Sequence, residues 1–308
     1  MSGDVQAPTA LAERITTQLA VPVDDDVRDF AEALGQAAGA RAVLFYGSNL
    51  RTGSLDGVLD FYVLTPGSQV ERIWPRVSYH ERDTDGGITL RAKVATMSLE
   101  GFAKAAAGEL TDTTIWARFV QPSALVWAGN VATPSGDTKH DVTTAIADAA
   151  KTAAQLAVAL GPESGAADEY WRALFRATYQ AEFRVEKTGR ENDILSVNAA
   201  HFAGLLPLAL RAKGIEFGQQ DDVLTPKLGD AERARIIAWW SRRRRFGKPL
   251  NFVRLLKAST TFEGATRYAA WKIERHTGMP VEVTPFRERH PILAAPGVLF
   301  SLWRHRRS

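Results

Sequence analysis

Apolar and polar positions in the first 135 residues follow the short period of β-strands, with helical periods between them. The segment DVRDFAEALGQAAG has the apolar spacing of an amphipathic helix and ends at glycine. The segments 41–47, 57–65, 88–98 and 123–129 are rich in β-branched and aromatic residues and predict strands. SLEGFAKAAAGEL predicts a further helix. This order of elements predicts an α+β domain over residues 1–135.

The pattern changes to long helical periods after a polar stretch at 133–139 that contains Pro and Gly. Successive segments, from DVTTAIADAAKTAAQLAVAL to NFVRLLKASTTFEGATRYAAWKIERH, carry apolar residues at helical spacing. We therefore expect three units along the chain. They are the α+β domain at 1–135, a mainly helical domain at 140–245, and basic C-terminal helices with a tail at 246–308.

Composition limits the class of protein. The hydrophobic content of 45% and the charged content of 24% are ordinary for a globular protein of 308 residues. The chain has no cysteine, which excludes disulfides and cysteine-ligated metals and favours a reducing compartment. The first residues lack the pattern of a signal peptide, and no apolar stretch approaches the roughly 18 residues that span a bilayer. We expect a cytoplasmic protein that is soluble or peripheral on a membrane.

Charge is distributed unevenly along the chain. Residues 242–308 contain 15 Lys or Arg and 4 Glu, a formal charge of +11, whereas the rest of the chain carries −8. A basic segment on an acidic body favours a polyanionic partner, either nucleic acid or an anionic lipid surface. The alternative is a solvated positive face with no partner.

The segment 43–65 carries the candidate chemistry. An apolar run ends in Tyr46-Gly47-Ser48, and a polar loop leads to a second apolar run that contains Asp60. A Gly-Ser turn after a strand offers backbone N–H groups to phosphates. Magnesium prefers carboxylate oxygens and neutralises the charge that develops in nucleotidyl transfer. The pattern thus predicts a nucleoside triphosphate site with Asp60 as a metal ligand; the alternative is a strand–turn–strand with an aspartate at its edge.

The Gly-Ser pair followed by an acid within an apolar strand resembles the polymerase-β-like nucleotidyltransferase signature. Most of that superfamily has Asp-x-Asp or Asp-x-Glu in the second strand, whereas this chain has Asp60-Phe61-Tyr62. One branch combines Tyr-Gly-Ser with a single acid in an aspartate–aromatic strand. It is the mitochondrial-type phosphatidate cytidylyltransferase family, the translocator assembly and maintenance proteins, and the chain resembles this branch.

The resemblance continues in order along most of the chain. The matching segments are Val77-Ser78-Tyr79-His80, the basic strand with Arg91 and Lys93, Arg118 before Pro122, Glu182-Phe183-Arg184, Ala200-His201-Phe202, and a helix with Arg254, Lys257 and Gly264. The resemblance implies that the nucleotide is bound by Tyr46, Gly47, Ser48, Arg91, Lys93 and Arg118. It also implies that Glu182 is a second metal ligand and that Arg184 is catalytic with Asp60. On a helix Glu182 and Arg184 would lie on different faces, and on a strand they would share one.

The C-terminal residues LFSLWRHRRS combine an apolar face with positive charge. Trp303 and its apolar neighbours, with Arg304, Arg306 and Arg307, favour binding at an anionic membrane surface. The alternative is a C-terminal helix that docks on the protein. By resemblance, Arg254 and Lys257 belong to the same lipid-binding group.

The resemblance implies a specific reaction. CTP and phosphatidate would give CDP-diacylglycerol and pyrophosphate, with Mg²⁺, in phospholipid biosynthesis at the inner face of the cell membrane. One alternative is a nucleotidyltransferase that acts on a protein, an RNA or a small molecule. Another is a nucleic-acid-binding protein without enzymatic activity, suggested by the basic run 242–245. The sequence contains no recognisable nucleic-acid-binding module, and we expect no nucleic-acid partner.

Overall fold

The computed structural model describes residues 6–70, 75–110, 114–129, 136–181, 190–261, 264–289 and 297. Within them, a mixed five-stranded sheet has the order β3-β4-β2-β1-β5. The strands are β1 (Ala42–Tyr46), β2 (Leu59–Thr65), β3 (Arg76–Asp83), β4 (Thr89–Ser98) and β5 (Ser123–Ala128). β2 and β4 are parallel, and the other neighbours in this sheet are antiparallel. The predicted α+β class and four predicted strands are confirmed; β3 was not predicted as a strand.

One face of the sheet is covered by α2 (Asp25–Ala37). This helix begins after Asp24, whose carboxylate accepts a hydrogen bond from the backbone N–H of Asp26 at 2.9 Å. Its apolar stripe packs on Val43, Phe61 and their neighbours in β1, β2, β4 and β5. These side chains have the period of two that strands impose, so this face forms a separate apolar cluster.

The opposite face of the sheet lies under several helices. They are α1 (Gln6–Leu19), α4 (Leu99–Ala106), α5 (Ile115–Phe119) and α6 (Thr138–Leu160). Leu44, Tyr62 and Met97 of the sheet share one hydrophobic cluster with buried residues of these helices. α6 is rich in buried alanine, and its small side chains let neighbouring helices approach closely. This cluster forms the main core, and it continues across the predicted boundary at 135–140.

The remaining described elements follow in chain order. They are α3 (Ser48–Thr52), β6 (Gly165–Ala166), α7 (Ala167–Ala181), α8 (Arg190–Val197), α9 (Ala199–Phe202), α10 (Leu205–Lys213), β7 (Phe217–Gln220), β8 (Val223–Pro226), α11 (Asp230–Thr261), α12 (Ala265–Thr277) and α13 (Pro285–Arg289). β6, β8 and β7 form a small second sheet. The helical content after residue 138 agrees with the predicted pattern, although α11 runs through the predicted boundary at 245–246.

The basic C-terminal region is only partly accessible to a partner. Arg243, within the run 242–245, is 3% exposed and donates a hydrogen bond to the Gly108 carbonyl at 2.5 Å. It also donates to the Leu110 carbonyl and lies over the Trp239 ring, 3.9 Å from its centroid. In the part of the chain that the structure describes, no helix is long and apolar enough to cross a membrane. Trp303, Arg304, Arg306 and Arg307 lie outside the described residues.

Candidate functional site

A cleft of about 710 Å³ lies at one end of the five-stranded sheet, on the face that carries the main core. Strands, α3 and α5 supply one part of its lining, and α7 and α8 supply another. The lining residues are Tyr46, Gly47, Ser48, Arg51, Asp60, Tyr62, Pro75, Val77, Lys93, Ala95, Thr114, Ala117, Arg118, Gln121, Pro122, Phe175, Thr178, Tyr179, Ile194 and Val197. A cleft of this size can enclose a nucleotide-sized ligand.

Strand register brings the polar residues of the cleft into one row. Tyr46 pairs with Asp60 across β1 and β2, and Asp60 pairs with Lys93 across β2 and β4. Residues that are paired in neighbouring strands project from the same face of the sheet. The next row on this face contains Leu44 and Tyr62, which belong to the core. The row with Asp60 is therefore the point where the buried face of the sheet ends and the cleft begins.

Gly47 lets the chain turn close to Asp60. Its φ of 93° and ψ of −163° lie in a region that is essentially restricted to glycine. A Cβ at this position would lie 3.0 Å from Asp60 Oδ2. Ser48 follows as the first residue of α3, and its hydroxyl donates to Asn49 Oδ1 at 3.3 Å. The Gly-Ser turn and the carboxylate are thus in direct proximity.

Positive charge surrounds the half-buried carboxylate of Asp60. Burial raises the pKa of Asp60, while the charges of Lys93 and Arg118 act in the opposite direction. The Arg118 guanidinium donates to the Tyr62 hydroxyl at 3.1 Å and lies 5.7 Å from the Tyr46 ring centroid. With Arg51, three cationic side chains and one carboxylate line the described part of the cleft. This balance favours a ligand with several negative charges.

The donor set fits a metal only in part. Asp60 can supply a carboxylate oxygen to Mg²⁺, which is often held by one or two carboxylates together with water and substrate phosphates. Among the described residues, no group of three or more His, Cys, Asp or Glu side chains could hold a metal ion. Asp60 therefore fits a magnesium site whose other ligands come from a nucleotide and from water. Glu182, the predicted second ligand, and Arg184 lie outside the described residues.

The wall contributed by α7 and α8 carries three apolar side chains beside the polar Thr178 and Tyr179. Phe175 of α7 and Ile194 and Val197 of α8 line the cleft. Val197 is 61% exposed, whereas Phe175 and Ile194 are buried. The cleft thus has cations on β4, α3 and α5 and apolar side chains on α7 and α8, which suits an amphiphilic ligand.

The structure brings together most of the nucleotide-binding residues that the sequence predicted. The cleft is lined by five of them, Tyr46, Gly47, Ser48, Lys93 and Arg118, and also by Asp60, the predicted metal ligand. Arg91 does not line it; its Nε lies 3.5 Å from Glu81 Oε1, and its guanidinium lies 5.5 Å from the centroid of the Trp271 ring. Arg254 and Lys257 lie in the C-terminal half of α11.

Sequence reasoning missed several polar residues of the cleft. Arg51 was missed although it lies three residues after Ser48, within the helix that the Gly-Ser pair begins. Thr114, Gln121 and Tyr179 also line the cleft, and no local motif marks them.

His201, from the Ala-His-Phe segment, lies away from the cleft. Its Nε2 lies 2.8 Å from the Val120 carbonyl oxygen, and in the tautomer with a proton on Nε2 it donates a hydrogen bond to that oxygen. Burial lowers the pKa of His201. Asn198 is buried and donates to the Ile194 carbonyl at 2.7 Å. Both side chains thus hold the helical layer together.

In comparisons with known proteins, no protein-family model matches the chain and no curated protein matches it.

Proposed function

We propose that the protein is a magnesium-dependent nucleotidyltransferase that binds a nucleoside triphosphate in this cleft. The observation that carries the proposal is the Gly47–Ser48 turn beside Asp60, with Lys93 and Arg118 at the same end of the sheet. Nucleotidyl transfer requires that phosphate charge be neutralised and that the phosphates be held in place, and these residues can do both.

The side chains have separate roles in this proposal. Arg51, Lys93 and Arg118 would bind phosphate oxygens of the triphosphate. Gly47 has no side chain, so a phosphate can approach the backbone beside Asp60. Asp60 would hold Mg²⁺, which when bound would neutralise negative charge on the triphosphate.

We further propose that CTP is the donor and phosphatidate the acceptor, as the sequence resemblance implies. An oxygen of the phosphatidate phosphate would bond to the α-phosphorus of CTP. The bond from the α-phosphorus to the oxygen that leads to the β-phosphorus would break, giving CDP-diacylglycerol and pyrophosphate. The acceptor phosphate is already ionised near neutral pH, so the reaction needs little help from a general base.

The two sides of the cleft support an amphiphilic acceptor. The phosphate of phosphatidate would face the three cations of the cleft, and its glycerol and acyl portions would approach the wall with Phe175, Ile194 and Val197. We propose that the protein acts as a peripheral protein on the inner face of the cell membrane, where the basic C-terminal region contacts anionic lipid.

Pyrophosphate release tests the proposal. Purified protein receives Mg²⁺, phosphatidate vesicles and one of CTP, ATP, GTP or UTP. We expect release with CTP alone, dependent on phosphatidate, and lowered by about 100-fold or more in Asp60→Asn because the variant lacks the charged ligand. Asp25→Asn is the matched control, since Asp25 is exposed on α2 over the other face of the sheet and forms an ion pair with Arg28.

Each other outcome has a definite meaning. Release without phosphatidate, or with another nucleotide, would replace the proposed substrates but keep nucleotidyl transfer. No release with any nucleotide, together with tight and salt-sensitive binding of RNA or DNA, would favour the nucleic-acid alternative. If the Asp60→Asn variant were as active as Asp25→Asn, Asp60 would have no role in the reaction.

A further inference from the structure

The loop between α3 and β2 is tied to a helix far along the chain. Asp56 in this loop accepts two hydrogen bonds from Arg275 of α12, from Nη1 to Oδ1 at 3.0 Å and from Nη2 to Oδ2 at 2.9 Å. The two residues are 219 positions apart in sequence. A bidentate pair of this kind fixes the relative orientation of its two planar groups as well as their distance.

The same loop is held from its inner side by Asn49 of α3. Asn49 is 8% exposed, and its Nδ2 donates to the backbone carbonyls of Ser54 and Asp56, each at 2.8 Å. Gly57 adopts a φ of 99°, and a Cβ there would lie 3.8 Å from Arg275 Nη1 and 3.9 Å from Asn49 Nδ2. The loop thus lies between the buried side-chain amide of Asn49 and the exposed guanidinium of Arg275.

α12 is itself held against the sheet by side-chain contacts, so the position of Arg275 relative to the sheet is defined. Two guanidinium groups contact the Trp271 ring, with Arg91 at 5.5 Å and Arg275 at 5.3 Å from its centroid. Arg91 in turn forms an ion pair with Glu81 of β3. Cation–π contacts of this kind add to the attraction between helix and strands.

A second contact fixes the start of α12. The backbone at Gly264, which precedes the helix, lies so close to β3 that a Cβ would be 2.6 Å from the Tyr79 carbonyl oxygen. The Tyr79 and Tyr268 rings lie 5.4 Å apart. The edge of the sheet and α12 therefore hold a defined position relative to each other.

The two ends of the tied segment are the two parts of the candidate site. Gly47 and Ser48 lie at its start and Asp60 lies just after its end, and all three line the cleft. We propose that Asp56 and Arg275 are positioning residues that set the Gly47–Ser48 turn against Asp60 for nucleotide binding. This inference rests on the proposed function. It assigns to α12 a role in nucleotide affinity although the helix would contact neither the nucleotide nor the acceptor.

The expected effect is a change in affinity. The side chains of Arg275 and Asp56 are 42% and 77% exposed, so the pair is screened by water and contributes little to global stability. Loss of the pair should lower the fraction of molecules with an ordered loop, and the apparent affinity falls by the same factor. The energy of an exposed ion pair corresponds to a change of up to about five-fold.

Kinetics of three variants test the inference. They are Arg275→Gln, Asp56→Asn and the exchanged pair Asp56→Arg with Arg275→Asp. We expect each single variant to raise the KM for CTP about three- to five-fold with kcat nearly unchanged, and the exchanged pair to recover part of the loss. Hydrogen exchange of the backbone amides in 47–57 should be faster in each single variant, with or without nucleotide.

The control is Lys227→Gln, which removes the exposed Lys227–Glu216 ion pair away from the cleft. It should leave both the KM for CTP and the exchange of 47–57 unchanged. Wild-type protein that releases pyrophosphate, with an unchanged KM in both single variants, would overturn the inference alone. A wild-type protein that neither binds nor uses any nucleotide would overturn the proposed function and the inference with it.

Discussion

Gly47→Ala is the most direct test of the geometry at the candidate site. The substitution adds one methyl group and leaves every charge in place. The native backbone at this position, with φ 93° and ψ −163°, is essentially restricted to glycine, and the new Cβ would lie 3.0 Å from Asp60 Oδ2. The change therefore separates two parts of the cleft that the proposed function needs close together.

The magnitude follows from two contributions. Holding an alanine in this backbone region costs about 1–3 kcal/mol. The close contact with Asp60 adds about 1 kcal/mol, at the lower end for overpacking, because a side-chain oxygen can yield by a few tenths of an ångström. We expect a total loss of about 2–4 kcal/mol, which the chain partly avoids by moving the turn away from Asp60.

Gly53→Ala is the matched control. Gly53 ends α3 with φ 66° and ψ 8°, and no atom lies within 4 Å of a Cβ placed there. The left-handed conformation alone costs about 1–2 kcal/mol. Gly53→Ala should thus lose some stability while it keeps the contact between turn and carboxylate.

Urea unfolding and titration with CTP measure the two effects. We expect Gly47→Ala to weaken CTP binding by about ten-fold or more and Gly53→Ala by less than about three-fold. The cost of Gly47→Ala should be smaller by about 1 kcal/mol in an Asp60→Ala background, because the contact is then absent. Equal costs in both backgrounds, with CTP affinity retained, would refute the reasoning.

Two further predictions concern charges in the core and at its edge. Because burial raises the pKa of Asp60, the native state binds a proton more tightly than the unfolded state, and stability falls as pH rises from the ordinary value of 3.8 through the raised one. Asp60→Asn should therefore be more stable than wild type at pH 7, and urea unfolding should show the difference shrinking towards pH 4. Arg243→Met should cost about 1–3 kcal/mol, since it removes the buried guanidinium that donates to the Gly108 and Leu110 carbonyls. The Gly108 carbonyl would keep a hydrogen bond from Trp239 Nε1 at 3.2 Å. The exposed Arg244→Met should change stability by less than about 0.5 kcal/mol.

Local patterns in the sequence predicted the part of the site that neighbouring residues determine. The apolar run before Gly47-Ser48 and the run around Asp60 became β1 and β2, and their antiparallel pairing places the turn beside the carboxylate. The position of Lys93 depends instead on the parallel pairing of β2 with β4. Long-range pairing of this kind depends on the tertiary fold, so no local motif could indicate it.

Fold elements that deviate from the sequence pattern have identifiable causes. β3 has a polar, partly exposed sequence because it is an edge strand, so the apolar alternation of a central strand is absent. Pro249 lies inside α11, just after the predicted boundary between units at 245–246, and the helix continues through it. Gly264 adopts a φ of 78° and separates α11 from α12, although the segment 251–276 has one continuous helical pattern.

The electrostatics of the cleft link the nucleotide and the metal in the proposed function. In the structure, burial raises the pKa of Asp60, and the charges of Lys93 and Arg118 partly compensate its negative charge. A triphosphate would attract the same two cations, and Asp60 would then lose that compensation in a partly dry environment. A divalent cation bound by both carboxylate and phosphates would restore it. The described cleft, with one carboxylate among three cations, thus suits a nucleotide with its metal better than either ligand alone.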